Sequence, residues 1–321
     1  MNNSLQNRSL SKDEMRAAYC NALIDLAKVN DKIVVVDCDL AHSMGTLHFA
    51  ETFAKREFNC GIQEANGCGV SAGLSAAGMI PFFHTFASFA SRRVCDQAFI
   101  SCAYAGLNVK IIGGDAGVTA ATNGGTHMAF EDMGIMRSIP EVRVIEPTDT
   151  VMIRAILPQI VDHYGVDYIR MARKKVYTVY SKDADFTIGS ANICREGSDI
   201  TIIANGIMVH EALTAAEKLE QMDGIQARVV DMFTLKPIDA ECIIASAKKT
   251  GAIVTAENHS VHNGLASAVA EVVVQNYPVP MGFVGVDDLF GEVGSQKELM
   301  QRFSLTSDAI YEKALHVLRR K

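Results

Sequence analysis

Short runs of β-branched residues alternate with longer helical segments along almost the whole chain. The first run, Ile33-Val34-Val35-Val36, has no polar residue within it and is flanked by charges. A run of this kind is typical of a parallel strand that is covered on both faces. The same alternation predicts further strands at 80–85, 109–113, 142–145 and 166–171, with helices near 64–77, 88–105 and 149–162. This order predicts a doubly wound α/β domain.

The alternation is interrupted once, between Tyr180 and Ser198, where polar and glycine residues replace the helical period. Such a composition is typical of a linker or a small hairpin. A second series follows, with strands predicted at 200–204, 226–230, 251–256 and 282–286 and helices at 208–220, 238–248, 263–276 and the C-terminus. We therefore expect two doubly wound α/β domains, at 11–180 and 190–321, of which the second is smaller.

The first helix is expected to begin at a capping box. Ser11 and Glu14 stand three residues apart, before an apolar-periodic run that ends near Val29. In a capping box the serine and the glutamate each satisfy a backbone N–H group at the start of the helix. The pattern predicts a helix that starts at this box.

Charge and composition disfavour several classes of protein. The 30 basic residues are outnumbered by 37 acidic ones, for a net charge of -7, which disfavours nucleic-acid binding. Residues 67–91 lack Asp, Glu, Lys and Arg and are long enough to span a bilayer. Because this segment contains Pro81 and a turn signal at Gly78, a buried helix and strand are expected there instead of a membrane span.

The cellular location is predicted from two further features. The first ten residues are polar and lack the apolar core of a secretory signal. The eight cysteines are scattered and contain no CxxC pair, which favours reduced thiols over a disulfide or zinc framework. A cytoplasmic protein is therefore expected.

Three segments contain residues that could take part in chemistry. Glu64 enters a helix of small residues, which lets a backbone or a flat ligand approach closely, although the carboxylate could simply offset the helix dipole. Phe86 and Phe89 cluster at a predicted strand end, where they belong either to the core or to a ligand site. A long glycine-rich loop follows the next strand and ends at His127, which is either a surface residue or an acid–base group.

Four ordered motifs carry a resemblance to a known family. They are Gly61-Ile62-Gln63-Glu64, then Thr85-Phe86-Ala87-Ser88-Phe89-Ala90 with Arg93, then Gly124-Gly125-Thr126-His127 with Glu131-Asp132, and Glu257-Asn258-His259-Ser260. The chain resembles the C-terminal half of transketolase, and in particular the separate small subunit of split bacterial transketolases. The resemblance covers essentially the whole chain.

This resemblance implies an enzyme that uses thiamine diphosphate to transfer a two-carbon ketol unit from a ketose to an aldose. Residues 11–180 would bind the cofactor's aminopyrimidine. The family holds the diphosphate and a divalent metal, Mg²⁺ or Ca²⁺, through a Gly-Asp-Gly motif that this sequence lacks. An N-terminal, diphosphate-binding partner subunit is therefore implied, in an α2β2 heterotetramer in which this chain forms a two-fold pair. No metal ligands are expected in this chain.

Four residues are implied to hold the cofactor. Glu64 corresponds to the glutamate that hydrogen-bonds N1′ of the aminopyrimidine, and in a buried, apolar setting it would share the N1′ proton. Phe86 and Phe89 correspond to aromatic pocket residues, with Phe89 the better candidate for stacking. Asp39 corresponds to an aspartate near the cofactor and the substrate channel. The third pocket aromatic of longer transketolases is replaced by Arg92.

A second group of residues is implied to bind the substrate. His127 corresponds to a histidine that contacts sugar hydroxyls and does acid–base or polarising work. Arg16, Ser43 and Arg173 align with the arginines and the serine that bind the substrate phosphate in the family. These positions imply a substrate with an anionic end.

Three substrate positions depart from the family pattern. Asp115 stands where a histidine is usual, Asn123 where an aspartate contacts the C2 hydroxyl, and His84 where serine is common. A carboxylate at the phosphate position is unfavourable for an ordinary sugar phosphate. The departures leave open a modified ketose, a branched sugar phosphate or a sulfonated sugar.

Two other functions are compatible with the same architecture. The β subunit of a 2-oxoacid dehydrogenase shares the fold, the cofactor and the subunit division, but the motif at His127 with Glu131-Asp132 favours transketolase. A non-catalytic regulatory or binding subunit of this fold is the second alternative. The presence of Glu64, Phe86 and Phe89 argues against it.

Overall fold

The structure of the protein is a computed structural model that describes residues 8–321. Residues 1–7, which contribute to the prediction that no secretory signal is present, lie outside the described residues. Among residues 8–321, no helix combines the length and the apolar character needed to cross a bilayer. Residues 67–91 lie mostly in a helix, Glu64–Ala76, and a strand, Ile80–Phe86, as the sequence predicts.

The first half of the chain supplies six parallel strands of a seven-stranded sheet. They are β1 (Ile33–Asp37), β2 (Glu57–Asn59), β3 (Ile80–Phe86), β4 (Lys110–Gly114), β5 (Arg143–Ile145) and β6 (Asp167–Arg170). The seventh strand, β10 (Thr234–Lys236), comes from the second half and pairs antiparallel with β5. The order across the sheet is β10-β5-β6-β4-β3-β1-β2.

Helices cover both faces of this sheet. Neighbouring residues of β3 point to opposite sides, so His84 and Phe83 mark the two faces. On the side of His84, α1 (Met15–Val29) packs against α6 (Thr150–Asp162), near the short α2 (Ala41–Met44) and α3 (Leu47–Thr52). On the side of Phe83 lie α4 (Glu64–Ala76), two π-helical segments (Phe89–Arg93 and Gln97–Tyr104) and α5 (Asp132–Ser138). The helix predicted at 88–105 thus has π-helical hydrogen bonding, which occurs frequently at functional sites.

The second half forms a five-stranded sheet with its own helices. The strands are β7 (Asn192–Arg195), β8 (Ile200–Ala204), β9 (Ala227–Asp231), β11 (Ile253–Ser260) and β12 (Met281–Val286), in the order β12-β11-β8-β9-β7. The helices are α7 (Met208–Asp223), α8 (Ala240–Thr250), α9 (Leu265–Asn276), α10 (Gln296–Arg302) and α11 (Ser307–Leu318). β7, an antiparallel edge strand, lies within the segment predicted as a linker or hairpin. The predicted α/β fold class is confirmed.

A buried ion-pair cluster joins the two halves. Arg170, at the end of β6, is fully buried, and its Nε atom lies 2.8 Å from Oδ2 of Asp132. Its Nη1 atom pairs with Glu146, and Nη2 donates to the backbone carbonyl of Asn258 in β11, at 2.7 Å. A buried cation needs such partners to offset the loss of its hydration. The cluster therefore fixes β11 against the first sheet.

The prediction of a capping box at the first helix was wrong. α1 begins at Met15, and its N-cap residue Glu14 makes no side-chain cap. The hydroxyl of Ser11 donates to the carbonyl oxygen of Asp13, at 2.6 Å, and the Glu14 carboxylate pairs with Arg16, at 2.7 Å. Neither Ser11 nor Glu14 therefore caps the N-terminus of α1 with its side chain.

Candidate functional site

Three neighbouring parallel strands, β1, β3 and β4, end at the same edge of the first sheet. Asp39 lies just after β1, Phe86 at the end of β3, and Asp115 just after β4. In doubly wound sheets, ligands bind at the carboxyl ends of the strands. The fold therefore brings residues predicted from separate segments to a common edge.

Glu64 is the first residue of α4 and is only 2% exposed. The helix approaches β3 closely because Gly67 has no side chain, and a Cβ atom there would lie 2.9 Å from the ring of Phe83. The surroundings of this carboxylate are not apolar, since Nη1 of Arg93 lies 2.8 Å from Oε2 of Glu64. Burial and, to a lesser extent, the Glu64 charge raise the pKa of the nearby Cys38 thiol to about 12. The buried Glu64 carboxylate thus accepts a charge-assisted hydrogen bond from Arg93.

The aromatic residues form one cluster with His127. The ring centroid of His127 lies 5.5 Å from that of Phe86 and 5.1 Å from that of Phe89, and both contacts are edge-to-face. The Arg93 guanidinium carbon lies 4.0 Å from the centroid of the Phe89 ring. Arg93 therefore links Glu64 to the aromatic cluster.

Arg92 supports the loop that carries His127. Its Nε atom lies 2.9 Å from Oε1 of Glu131, and its Nη2 atom donates to the carbonyl oxygen of Thr126, at 3.1 Å. The Thr126 hydroxyl is 2.9 Å from Nδ1 of His127. Arg92, which replaces the third aromatic residue, thus contacts the chain both before and after His127.

The residues predicted to bind an anion also come together. Nη1 of Arg16 donates to the carbonyl oxygen of Ser43, at 2.7 Å, and the Arg16 backbone N–H donates to the carbonyl oxygen of Arg173, at 3.5 Å. Nη1 of Arg173 lies 3.0 Å from Oδ2 of Asp115. The positive charges of Arg173 and Arg16 both act on Asp115, which follows β4, so this edge of the sheet can attract an anionic group.

Asp115 and Asn123, two of the three residues that depart from the family pattern, are hydrogen-bonded to each other. Nδ2 of Asn123 donates to Oδ2 of Asp115, at 3.1 Å, and the same oxygen accepts from Arg173. Burial raises the pKa of Asp115 to about 6, although the charges of Arg173 and Arg16 act in the opposite direction. Asp115 is therefore mostly ionised at pH 7, and it neutralises part of the charge of the arginine pair.

Two predicted site residues have different surroundings. His84 is fully buried, its Nε2 atom is 2.8 Å from the hydroxyl of Tyr19, and burial lowers the pKa of the imidazole to about 4. It lies within β3 and packs against α1 in the interior, and its contact with substrate stays a prediction. Asp39 is exposed, with φ of 62°, and its backbone N–H donates to Asn59 at 3.1 Å.

Sequence reasoning missed the contacts of Arg93 and of Asn258, which hydrogen-bonds the loop after β4. An arginine four residues beyond Phe89 was a possible signal for the first, whereas no local signal exists for the second. Among residues 8–321, no group of three or more His, Cys, Asp or Glu is arranged to hold a metal ion.

Two family models together match most of the chain. The transketolase pyrimidine-binding domain matches residues 11–178, and the transketolase C-terminal domain matches residues 189–310. These matches coincide with the two sheets, apart from β10. Human transketolase is 32% identical over 299 residues, which are 92% of this chain and 47% of the human protein.

Three further relatives match this chain over nearly their whole length. The 6-deoxy-6-sulfo-D-fructose transketolase subunit SqwH of Clostridium sp. (strain MSTE9) is 49% identical over 312 residues, or 97% of each chain. One of the apulose-4-phosphate transketolase subunits of Phocaeicola vulgatus is 34% identical, over 95% of this chain and 97% of its own. A split gene transketolase solved as an inactive β4 tetramer has a TM-score of 0.88 and 45% identity, over 96% of this chain and 99% of its own. The chain therefore belongs to the transketolase family and is a small subunit of the split type.

Proposed function

We propose that this chain binds the aminopyrimidine end of thiamine diphosphate and the anionic end of a sulfonated ketose, and that a diphosphate-binding partner subunit completes each active site. The observation that carries the proposal is the convergence of Glu64, the Phe86–Phe89–His127 cluster and the Arg16–Arg173 pair at one edge of the sheet. The transketolase relatives favour this function over a 2-oxoacid dehydrogenase or a regulatory subunit. A cytoplasmic location remains part of the proposal.

The residues fit an aminopyrimidine, as the contacts of Arg93 illustrate. Its guanidinium is planar and carries N–H donors, and it contacts the Glu64 carboxylate and the Phe89 ring at once. A protonated aminopyrimidine has the same two properties. The Arg93 side chain is 47% exposed, so it can move into solvent when another planar group takes these partners.

When bound, thiamine diphosphate supplies the nucleophilic carbon that accepts the two-carbon unit. In this proposal Glu64 holds a proton at N1′ of the aminopyrimidine, while Phe89 orients the ring by stacking and Phe86 lines the same pocket. His127 exchanges a proton with a substrate hydroxyl oxygen, and its ring is positioned for this by Thr126 and the two phenylalanines. The divalent metal and the diphosphate would be held by the partner subunit.

A sulfonate suits the anion site better than a phosphate does. At pH 7 a phosphate monoester carries a charge of about -1.5 to -2, whereas a sulfonate carries a single negative charge. Because Asp115 already occupies one donor of Arg173, a second negative charge on the substrate would meet an ionised carboxylate. The similarity to the sulfofructose transketolase subunit supports this donor class, and the apulose-4-phosphate relative makes a branched sugar phosphate the alternative.

The donor is identified by kinetics of the reconstituted complex. We expect the highest kcat/KM for 6-deoxy-6-sulfofructose, above fructose 6-phosphate and apulose 4-phosphate. Arg173→Met should raise the donor KM about tenfold or more, because a charge-assisted hydrogen bond is lost. Arg195→Met is the control, since Arg195 pairs with Glu220 elsewhere and its side chain has the same exposure, 20%. A preference for either phosphate donor would refute the sulfonate proposal.

We further propose an α2β2 heterotetramer in which two copies of this chain contact each other. The β4 assembly of the solved relative supports association between subunits of this type. The purified chain should show no turnover until the partner is added, because the diphosphate half of each site is missing. Light scattering should then give the mass of two copies of each chain. Robust turnover by this chain alone would contradict the proposal.

A further inference from the structure

The loop that follows β4 carries three of the proposed substrate residues and has an unusual backbone. Between Asp115 and His127, positive φ values occur at Asp115 (57°), Gly117 (54°), Ala121 (48°) and Gly124 (76°). Residues other than glycine rarely adopt such angles. Strained backbone of this kind persists only where surrounding structure holds it. The contacts that hold this loop therefore determine where its side chains lie.

A single side chain from the second half hydrogen-bonds this loop twice. Oδ1 of Asn258 accepts from the backbone N–H of Val118, at 2.9 Å, and its Nδ2 donates to the carbonyl oxygen of Ala116, at 3.1 Å. Asn258 lies in β11, is 1% exposed, and is fixed through its own carbonyl oxygen by Arg170. Its amide thus satisfies a donor and an acceptor on either side of Gly117.

The loop and the amide fit closely. A Cβ atom on Gly117 would lie 2.2 Å from Oδ1 of Asn258 and 2.5 Å from its Nδ2. Farther along the loop, a Cβ atom on Gly125 would lie 2.3 Å from the backbone oxygen of Gly291, which also belongs to the second half. The second half therefore contacts the loop near both of its ends, and Asn258 contributes side-chain hydrogen bonds to it.

We propose that Asn258 is a positioning residue for donor binding. Its amide sets the path of residues 115–127 and thereby places Asp115, Asn123 and His127 around the donor. Asn258 need not touch the sugar to do this. The C-terminal domain thus takes part in substrate binding, through a residue from outside the sheet that forms the site. The inference rests on the proposed function, since it concerns the donor of that same reaction.

The test compares Asn258→Ala with Asn205→Ala in the reconstituted complex. Asn205 is the matched control, because it is also 1% exposed, lies just after β8, and donates to the sulfur of Met133 instead of the loop. For Asn258→Ala we expect about a tenfold higher donor KM, a lower kcat because the loop also carries His127, and an unchanged Kd for thiamine diphosphate. Backbone amides of residues 116–127 should exchange hydrogen about tenfold faster. Asn205→Ala should leave all four quantities unchanged.

A second substitution approaches the same contact from the loop. Gly117→Ala crowds the Asn258 amide, so it should speed exchange in residues 116–127, and this effect should be smaller in the Asn258→Ala background. Unchanged loop exchange in Asn258→Ala, or strictly additive effects of the two substitutions, would overturn the inference. If the wild-type complex turned over no sulfonated donor, the donor proposal would fail, while hydrogen exchange in the loop would still decide the role of Asn258.

Discussion

Replacing Arg93 by methionine tests whether its guanidinium and the cofactor's aminopyrimidine compete for the same partners. Arg93 lies 2.8 Å from the Glu64 carboxylate and its guanidinium carbon is 4.0 Å from the centre of the Phe89 ring. The proposed cofactor contacts use this carboxylate and this ring. An aminopyrimidine can therefore bind only after these Arg93 contacts are broken. Removing the guanidinium should make cofactor binding tighter.

The magnitude follows from the two contacts. A charge-assisted hydrogen bond contributes about 1.5–3 kcal/mol, and a cation–π contact at an exposed site contributes about 0.5–1 kcal/mol. Because the Arg93 side chain is 47% exposed, the lower values apply, for a sum of ~2 kcal/mol. Relieving this competition corresponds to a Kd for thiamine diphosphate that is roughly thirtyfold lower.

The assay is titration of the reconstituted complex with thiamine diphosphate, followed by near-ultraviolet circular dichroism or calorimetry. Arg92→Met is the control, since that neighbouring side chain is also 47% exposed but contacts Glu131 and Thr126. Its Kd should stay within about twofold of wild type. Weaker cofactor binding by Arg93→Met would refute the reasoning, because it would mean that Arg93 supports the cofactor instead of competing with it.

Two further predictions concern carboxylates of the site. Glu64→Gln should lower kcat about 10²–10⁴-fold at saturating cofactor, because an amide cannot share the N1′ proton, and a kcat near wild type would remove Glu64 from the mechanism. Burial raises the pKa of Asp115 from 3.8 to about 6, so KM for a sulfonated donor should rise as the pH increases through that value, and the Asp115→Asn profile should be flat. The raised pKa also stabilises the fold relative to Asp115→Asn at low pH, an advantage that is lost as the pH rises through about 6, and parallel melting curves across pH for the two proteins would contradict this.

The sequence predicts the fold well where the pattern is local. Long periodic segments such as α6 and the continuous β-branched run of β1 lie close to their predicted bounds. The π-helical form of 88–105 leaves no compositional trace, and β10 joins the first sheet through a pairing between residues about 90 positions apart in the chain. In the site, too, local features could be predicted and long-range contacts could not. Motif residues such as Glu64 can be recognised one by one in the sequence. The Asp115–Asn123 bond and the reach of Asn258 to Val118 depend on tertiary contacts that no single segment encodes.

Strand β10 makes any division of this chain at the boundary between its two family domains structurally costly. A fragment that stops near residue 185 would leave the backbone of Arg143–Ile145 open at the sheet edge, where unpaired strands invite aggregation. It would also lose Lys236, whose ammonium group donates to the carbonyl oxygen of Arg137 at the end of α5, at 3.0 Å. The complementary fragment would carry β10 with no strand to pair with. The two domains can thus be named separately in sequence, but the first sheet is complete only when both are present.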